Sequence, residues 1–150
     1  MFDEKQACVY ILINLLSNGI QTLENELKEV VTSRDNESKS SVGDKYETGR
    51  AMMQLRQEQL EKQLAEQKKN LQLAKGISGK KADKKVGKGS FVKTNRGNYL
   101  IGLGLGEIKL GDKSFYSISL LSPFGQAIRN KVANDQFEFR GKNYVIEAIA

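Results

Sequence analysis

The residues of this 150-residue sequence best suited to chemistry are four carboxylates in one short polar stretch: Asp35, Glu37, Asp44 and Glu47. Mg²⁺ takes oxygen ligands from a few carboxylates and completes its shell with water and phosphates. Asp44 and Glu47 stand three residues apart at an expected helix start, so both fall on one face, within reach of a single ion. The same spacing also describes ordinary capping, with Asp44 as the cap and Glu47 as the acid of a capping box. Spacing alone leaves both readings open. Exposed carboxylates hold Mg²⁺ weakly, so no metal or other cofactor is expected in the isolated protein. A cation would be held only where a partner macromolecule supplies phosphates and a first ion. Other chemistry is thinly provided. There is no histidine, and Cys8 is the single cysteine. That removes the commonest general base, the usual nucleophile–base pairs and nearly all zinc sites. Cys8 sits in a hydrophobic stretch and reads as a small buried apolar residue. One cysteine makes no internal disulfide, and a cytoplasmic location is expected.

The elements that must carry these acids are helices. From Asp3 to about Val31 the apolar residues Ile11, Leu15, Leu16, Ile20, Leu23, Leu27 and Val30 recur mostly at steps of three and four. Thr32–Asp44 is rich in Ser, Asn and Asp and predicts a turn ending in a cap. A second helix is expected from about Lys45 to Lys75. Tyr46, Met53 and Leu60 are seven apart, as are Leu64 and Leu71, the stripe of a two-helix coiled coil. Two helices of similar length joined by a polar turn predict an antiparallel hairpin over residues 1–75, about 45 Å long. Ala7–Leu16 is apolar on consecutive positions, about half a membrane span in length, with no cleavage site after it. It reads as a buried helix packed on another part of the chain, and no membrane is expected as a partner.

Residues 76–89, Gly- and Lys-rich, read as a linker. From residue 90 the apolar period becomes two. Phe91-Val92, Tyr99–Leu103, Phe115–Leu120, Phe137–Phe139 and Tyr144–Ile149 predict strands, and Glu107–Leu110 alternates in the same way. Ser122-Pro123 predicts the start of a short helix from Phe124 to about Lys131. Gly141-Lys142-Asn143 reads as a tight turn. The fold class is therefore α+β: a helical coiled-coil hairpin (1–75), a linker (76–89) and a β-rich domain with one short helix (90–150). Gly102-Leu-Gly-Leu-Gly106 is a weak echo of a nucleotide loop. No helix signal follows it, so a glycine-softened strand or bulge is expected.

Charge is uneven. The net +6 arises beyond the hairpin: residues 1–75 carry eleven basic and twelve acidic groups, residues 76–89 five and one, residues 90–150 eight and five. Balanced helices argue for charge pairing. Lys80, Lys81, Lys84, Lys85 and Lys88 read either as a solvated linker or as an electrostatic contact to nucleic acid or an acidic protein.

The stretch Ile118-Ser-Leu-Leu-Ser-Pro-Phe-Gly-Gln-Ala-Ile128, with Asn134-Asp135 before the last hairpin and Tyr144-Val-Ile-Glu-Ala-Ile149 as closing strand, resembles the bacterial Gre transcript-cleavage factors. The hairpin and the order of the domains match as well. The resemblance implies an FKBP-like C-terminal domain that docks on RNA polymerase at the rim of its secondary channel, and a coiled coil that enters it. Two tip acids there help place a second Mg²⁺ and a water that cleaves backtracked RNA. Gly43-Asp44-Lys-Tyr-Glu47 fits the family's tip, whereas the later tyrosine position holds Ala51. Aligned on Tyr46 and Arg50, the acid positions hold Lys39 and Val42. The expected protein is thus a polymerase-binding elongation factor, not an enzyme alone, with Asp44 and Glu47 acting in trans and Asp35 and Glu37 as further tip acids. Ser122, Pro123 and Phe124 are expected as the docking surface, because the fixed helix start leaves Phe124 to face a partner. Alternatives are a non-cleaving regulator at the same channel, an FKBP-type peptidyl-prolyl isomerase with a helical appendage, and a nucleic-acid adaptor working through the lysines.

Overall fold

In a computed structural model the described residues are 1–37, 43–81 and 83–150; the side chains of Glu37 and of residues 43–47 lie outside them. The chain is α+β. Two long helices, α1 (Phe2–Glu37) and α2 (Gly43–Ile77), precede strands β1 (Phe91–Thr94), β2 (Gly97–Ile101), β3 (Gly106–Leu110) and β4 (Lys113–Ile118). Helix α3 (Pro123–Ile128) and strands β5 (Gln136–Phe139) and β6 (Lys142–Ile149) follow. No helix among the described residues is long and apolar enough to cross a membrane. The compact units cut across the boundaries drawn from the sequence. One comprises Met1–Ile13 with Gln72–Ala150, the other Asn14–Leu71.

The Asn14–Leu71 unit is a helical hairpin zipped by a heptad stripe. The seam runs through Leu16, Ile20, Leu23, Leu27, Val30 and Arg34 on α1 and Met53, Gln57, Leu60, Leu64, Gln67 and Leu71 on α2, each buried or half-buried. Steps of four and three alternate throughout, as a coiled-coil seam requires. Glutamines occupy two seam positions, which is why the apolar residues of α2 alone read as sparse. Arg34 crosses to the second helix and donates to Gln54 and Gln57, while Arg56–Glu26 (3.1 Å) and Lys68–Glu24 (3.6 Å) pair at the edges. Exposed pairs of this kind contribute little each. The expected turn at Thr32 is corrected: α1 runs on to Glu37, with the Thr32 hydroxyl turned back to the Lys28 carbonyl at 2.9 Å. The connection at 38–42 lies outside the described residues.

In the other unit the six strands run in the order β3-β4-β2-β1-β6-β5. All ladders are antiparallel except β2–β4, where Tyr99 faces Tyr116 in a parallel register. Strand β3 makes that possible by returning along the outer edge, so β4 re-enters beside β2 in the same direction. The last hairpin turns on Arg140-Gly141, with φ of 51° and 77°, one residue earlier than expected from sequence. Both central residues with positive φ form the turn that matches strand twist.

Alternation gives the sheet two apolar faces. Val92, Tyr99, Ile101, Tyr144 and Ile146 pack with Phe124 and Ile128 of α3. Phe91, Leu100 and Phe115 pack on the other side with Cys8, Val9 and Leu12 of α1 and Ile77 of α2. The start of α1 is thus a layer of the β-domain. Polar contacts fasten it: Glu4 pairs with Lys93 at 2.9 Å, and that hydrogen bond holds its carboxyl below the ordinary range. The run Ala7–Leu16 is not covered all round, since Tyr10 and Leu15 remain 66% and 50% exposed. A helix against a flat sheet buries only one side. Leu12 is fully buried in this layer, so Leu12→Ala should cost about 2–5 kcal/mol in urea unfolding, whereas Tyr10→Ala should change stability by no more than about 0.5 kcal/mol.

Candidate functional site

Of the tip acids, only the side chain of Asp35 is described. It is 63% exposed and pairs with Arg34 at 3.5 Å. Asp44 and Glu47 lie on α2, whose helix begins at Gly43. Their side chains and that of Glu37 lie outside the described residues, so neither capping nor convergence of the acids is on view. Among the described residues no group of three or more metal-ligating side chains occurs. The hairpin unit also holds a shallow groove of about 440 Å³, lined by Glu29, Val30, Ser33, Gly49, Met52, Met53 and Arg56. Met52, off the heptad seam, is 66% exposed.

The Ser122-Pro123-Phe124 turn is built from local chemistry. The Ser122 hydroxyl accepts from the Gly125 N–H at 3.0 Å and donates to the Ser119 carbonyl at 2.6 Å. Pro123 stands at the first helical position, where its missing N–H costs nothing. Gly125 is required by space: a Cβ there would sit 2.1 Å from the Ser119 oxygen. The Gln126 side-chain amide closes the turn on the Leu120 carbonyl at 2.8 Å. Phe124 does not face outward, which corrects the sequence expectation. It is 8% exposed, stacked on Tyr99 at 4.4 Å and edge-on to Phe137, Phe139 and Tyr144. The capped turn aims the first helical residues back at the sheet, and the aromatic ring follows. Pro123 stays exposed, and so does Leu121, at 89%. Sequence reading missed it because a Leu-Leu pair at the end of a strand does not say which member faces in.

Aromatics that are scattered in sequence therefore converge. Tyr99, Tyr116, Phe124, Phe137, Phe139 and Tyr144 form one cluster on the α3 face. Burial, with the Tyr144 hydroxyl next in importance, pushes the Tyr99 phenol far above its usual range. The glycine-rich stretch at 102–106 is the connection from β2 to β3 and opens no helix. Gly102, at φ 141°, lets its N–H reach the Ile118 carbonyl at 2.8 Å.

Residues 76–89 are also corrected: they do not form a free linker. Helix α2 continues to Ile77, Val86 is buried in the α3-side core, and the Gly89 N–H donates to the Ile101 carbonyl at 2.7 Å. Lys5, which the sequence did not single out, helps fasten this stretch. Its buried ammonium donates to the carbonyls of Lys80 (2.8 Å) and Ala150 (3.4 Å), and burial lowers its pKa. No signal in the sequence marks such a lysine, since its partners are backbone carbonyls far along the chain. No family model matches the chain, and no curated protein matches it.

Two outcomes follow from this geometry. Phe124→Ala should lower stability by about 3–5 kcal/mol while Leu121→Ala stays within about 0.5 kcal/mol, both read by urea unfolding. Cys8 is buried, and burial followed by the Glu4 charge pushes its thiol up to about 11. The thiolate is the reactive form. Native protein at neutral pH should therefore resist maleimide, and unfolded protein should label fully, as measured by intact mass.

Proposed function

We propose that this protein is a Gre-like transcription elongation factor that binds RNA polymerase. In this reading the C-terminal domain docks at the rim of the secondary channel, the hairpin enters it, and the tip acids support cleavage of backtracked RNA. The observation that carries the reading is the conjunction of a charge-balanced helical hairpin with a β-domain built around the capped Ser122-Pro123 turn. Those are the two parts on which the sequence resemblance rests. The hairpin's paired surface charges suit a long element held in water rather than one that coats nucleic acid. At the docking turn the surface offered to a partner in this reading is Leu121 with Pro123, both exposed. A cytoplasmic location belongs to the same proposal.

A non-cleaving regulator at the same channel is the second reading, favoured by Ala51 and by the Lys39 and Val42 register at the tip. An FKBP-type isomerase is less well supported. Its catalysis needs an open aromatic pocket, and the rings here are packed into one another, with Tyr99, Phe124 and Tyr144 each under 10% exposed.

The test has two steps. Polymerase should co-purify with the wild type and be lost with Leu121→Asp. In backtracked complexes, wild type should stimulate RNA cleavage, and Asp44→Asn/Glu47→Gln should abolish stimulation while binding persists. Binding with no stimulation by wild type would favour the non-cleaving regulator. No binding at all would end both channel readings.

A further inference from the structure

The Lys-rich stretch carries an inference independent of polymerase binding. Two backbone hydrogen bonds clamp Val86 to the segment after α3: its N–H donates to the Lys131 carbonyl at 2.8 Å, and the Asn130 N–H donates to the Val86 carbonyl at 2.9 Å. With the Val86 side chain buried, the chain at Lys84 and Lys85 is held beside that at Arg129 and Lys131, while the Lys88 side chain lies with Gly76, Ile77 and Lys80 at the end of α2. Lys84, Lys85 and Arg129 are exposed and Lys131 is half-buried. Among the described residues none of these four makes an ion pair. Two acids stand nearby in sequence, Asp83 and Asp135, the latter accepting from the Val132 N–H at 2.8 Å. Four cations against two carboxylates leave the rim positive, and their mutual repulsion is a cost that a counter-charged ligand removes.

We propose that this rim binds the phosphodiester backbone of single-stranded nucleic acid, without reading its sequence. Two features select this partner over an acidic protein. Protein interfaces centre on apolar and aromatic anchors and are depleted in lysine, and none of the exposed large hydrophobic residues falls within 83–89 or 129–135. Lysine acts as a hydrated point charge, suited to phosphates spaced along a strand. No exposed aromatic is available there for base stacking, so affinity rests on phosphate neutralisation and is strongly salt-dependent.

The experiment uses the full chain without polymerase and a fluorescent, mixed-sequence single-stranded RNA, with anisotropy followed across salt. Four engaged cations, at a slope of about 0.7 each for a single strand, give wild type a loss of about 50-fold between roughly 50 and 200 mM salt. Lys84→Gln/Lys85→Gln, at exposed positions, should lose only about sevenfold over the same range and bind more weakly at low salt. Lys85→Gln/Arg129→Gln, taken from both sides of the Val86 clamp, should lose about as little. Lys62→Gln/Lys69→Gln on the hairpin should match wild type. The proposal is overturned if wild type binds no RNA at low salt, if the rim variants keep the wild-type slope, or if a polyglutamate peptide binds more tightly than the RNA.

Discussion

A sheet with two apolar faces cannot stay in water with only one of them covered, and the rest of this molecule is arranged around that requirement. Helix α3 has six residues and shields the face bearing Val92, Tyr99, Ile101 and Ile146. The opposite face, with Phe91, Leu100 and Phe115, would stay wet if the β-rich stretch folded alone. Cys8, Val9 and Leu12 close it, joined by Ile77. A domain of about 60 residues sits near the lower limit for independent folding, and borrowing both ends of the helical hairpin removes that difficulty. Met1–Ile13 and Gln72–Ala150 thereby belong to one compact unit.

The polar fastenings follow from the same arrangement. Once α1 lies on the sheet, its first turn must find partners for charged groups beside an apolar layer. Glu4 takes Lys93, and the Lys5 ammonium takes two backbone carbonyls, at Lys80 and Ala150. A buried ammonium is costly unless hydrogen-bonded, so the stretch after α2 and the end of β6 are drawn in to meet it. That is one reason residues 76–89 are held against the domain despite a composition that suits a tether.

The two surfaces of functional interest are consequences of this anchoring. The Ser122 cap and the crowding around Gly125 leave the turn before α3 little freedom, so Phe124 is directed inward and Leu121 outward. The Val86 clamp brings the chain at Lys84 and Lys85 beside that at Arg129 and Lys131. In both cases the side chains proposed to meet a partner stand on backbone that the core has already positioned, which would lower the entropy cost of binding.

Periodicity was enough to establish the helical hairpin, the change to strands after residue 90, and the helix start at Ser122-Pro123, because each is a local matter of spacing or capping. Cys8 was legible as core for the same reason: it lies in an apolar run. Helix ends were less so. Thr32–Glu37 has turn-forming composition yet stays helical, because Arg34 makes its contacts across the seam from a helical position. The inward turn of Phe124, the gathering of six aromatics, the burial of Lys5 and the packing of a Lys/Gly-rich stretch were decided by tertiary structure alone. Each depends on partners distant in sequence: Tyr99 and Tyr144 for the ring, Lys80 and Ala150 for the ammonium, Asn130 and Lys131 for Val86. Composition reports what a segment tolerates in water, whereas which neighbour arrives to cover it is a property of the folded sheet.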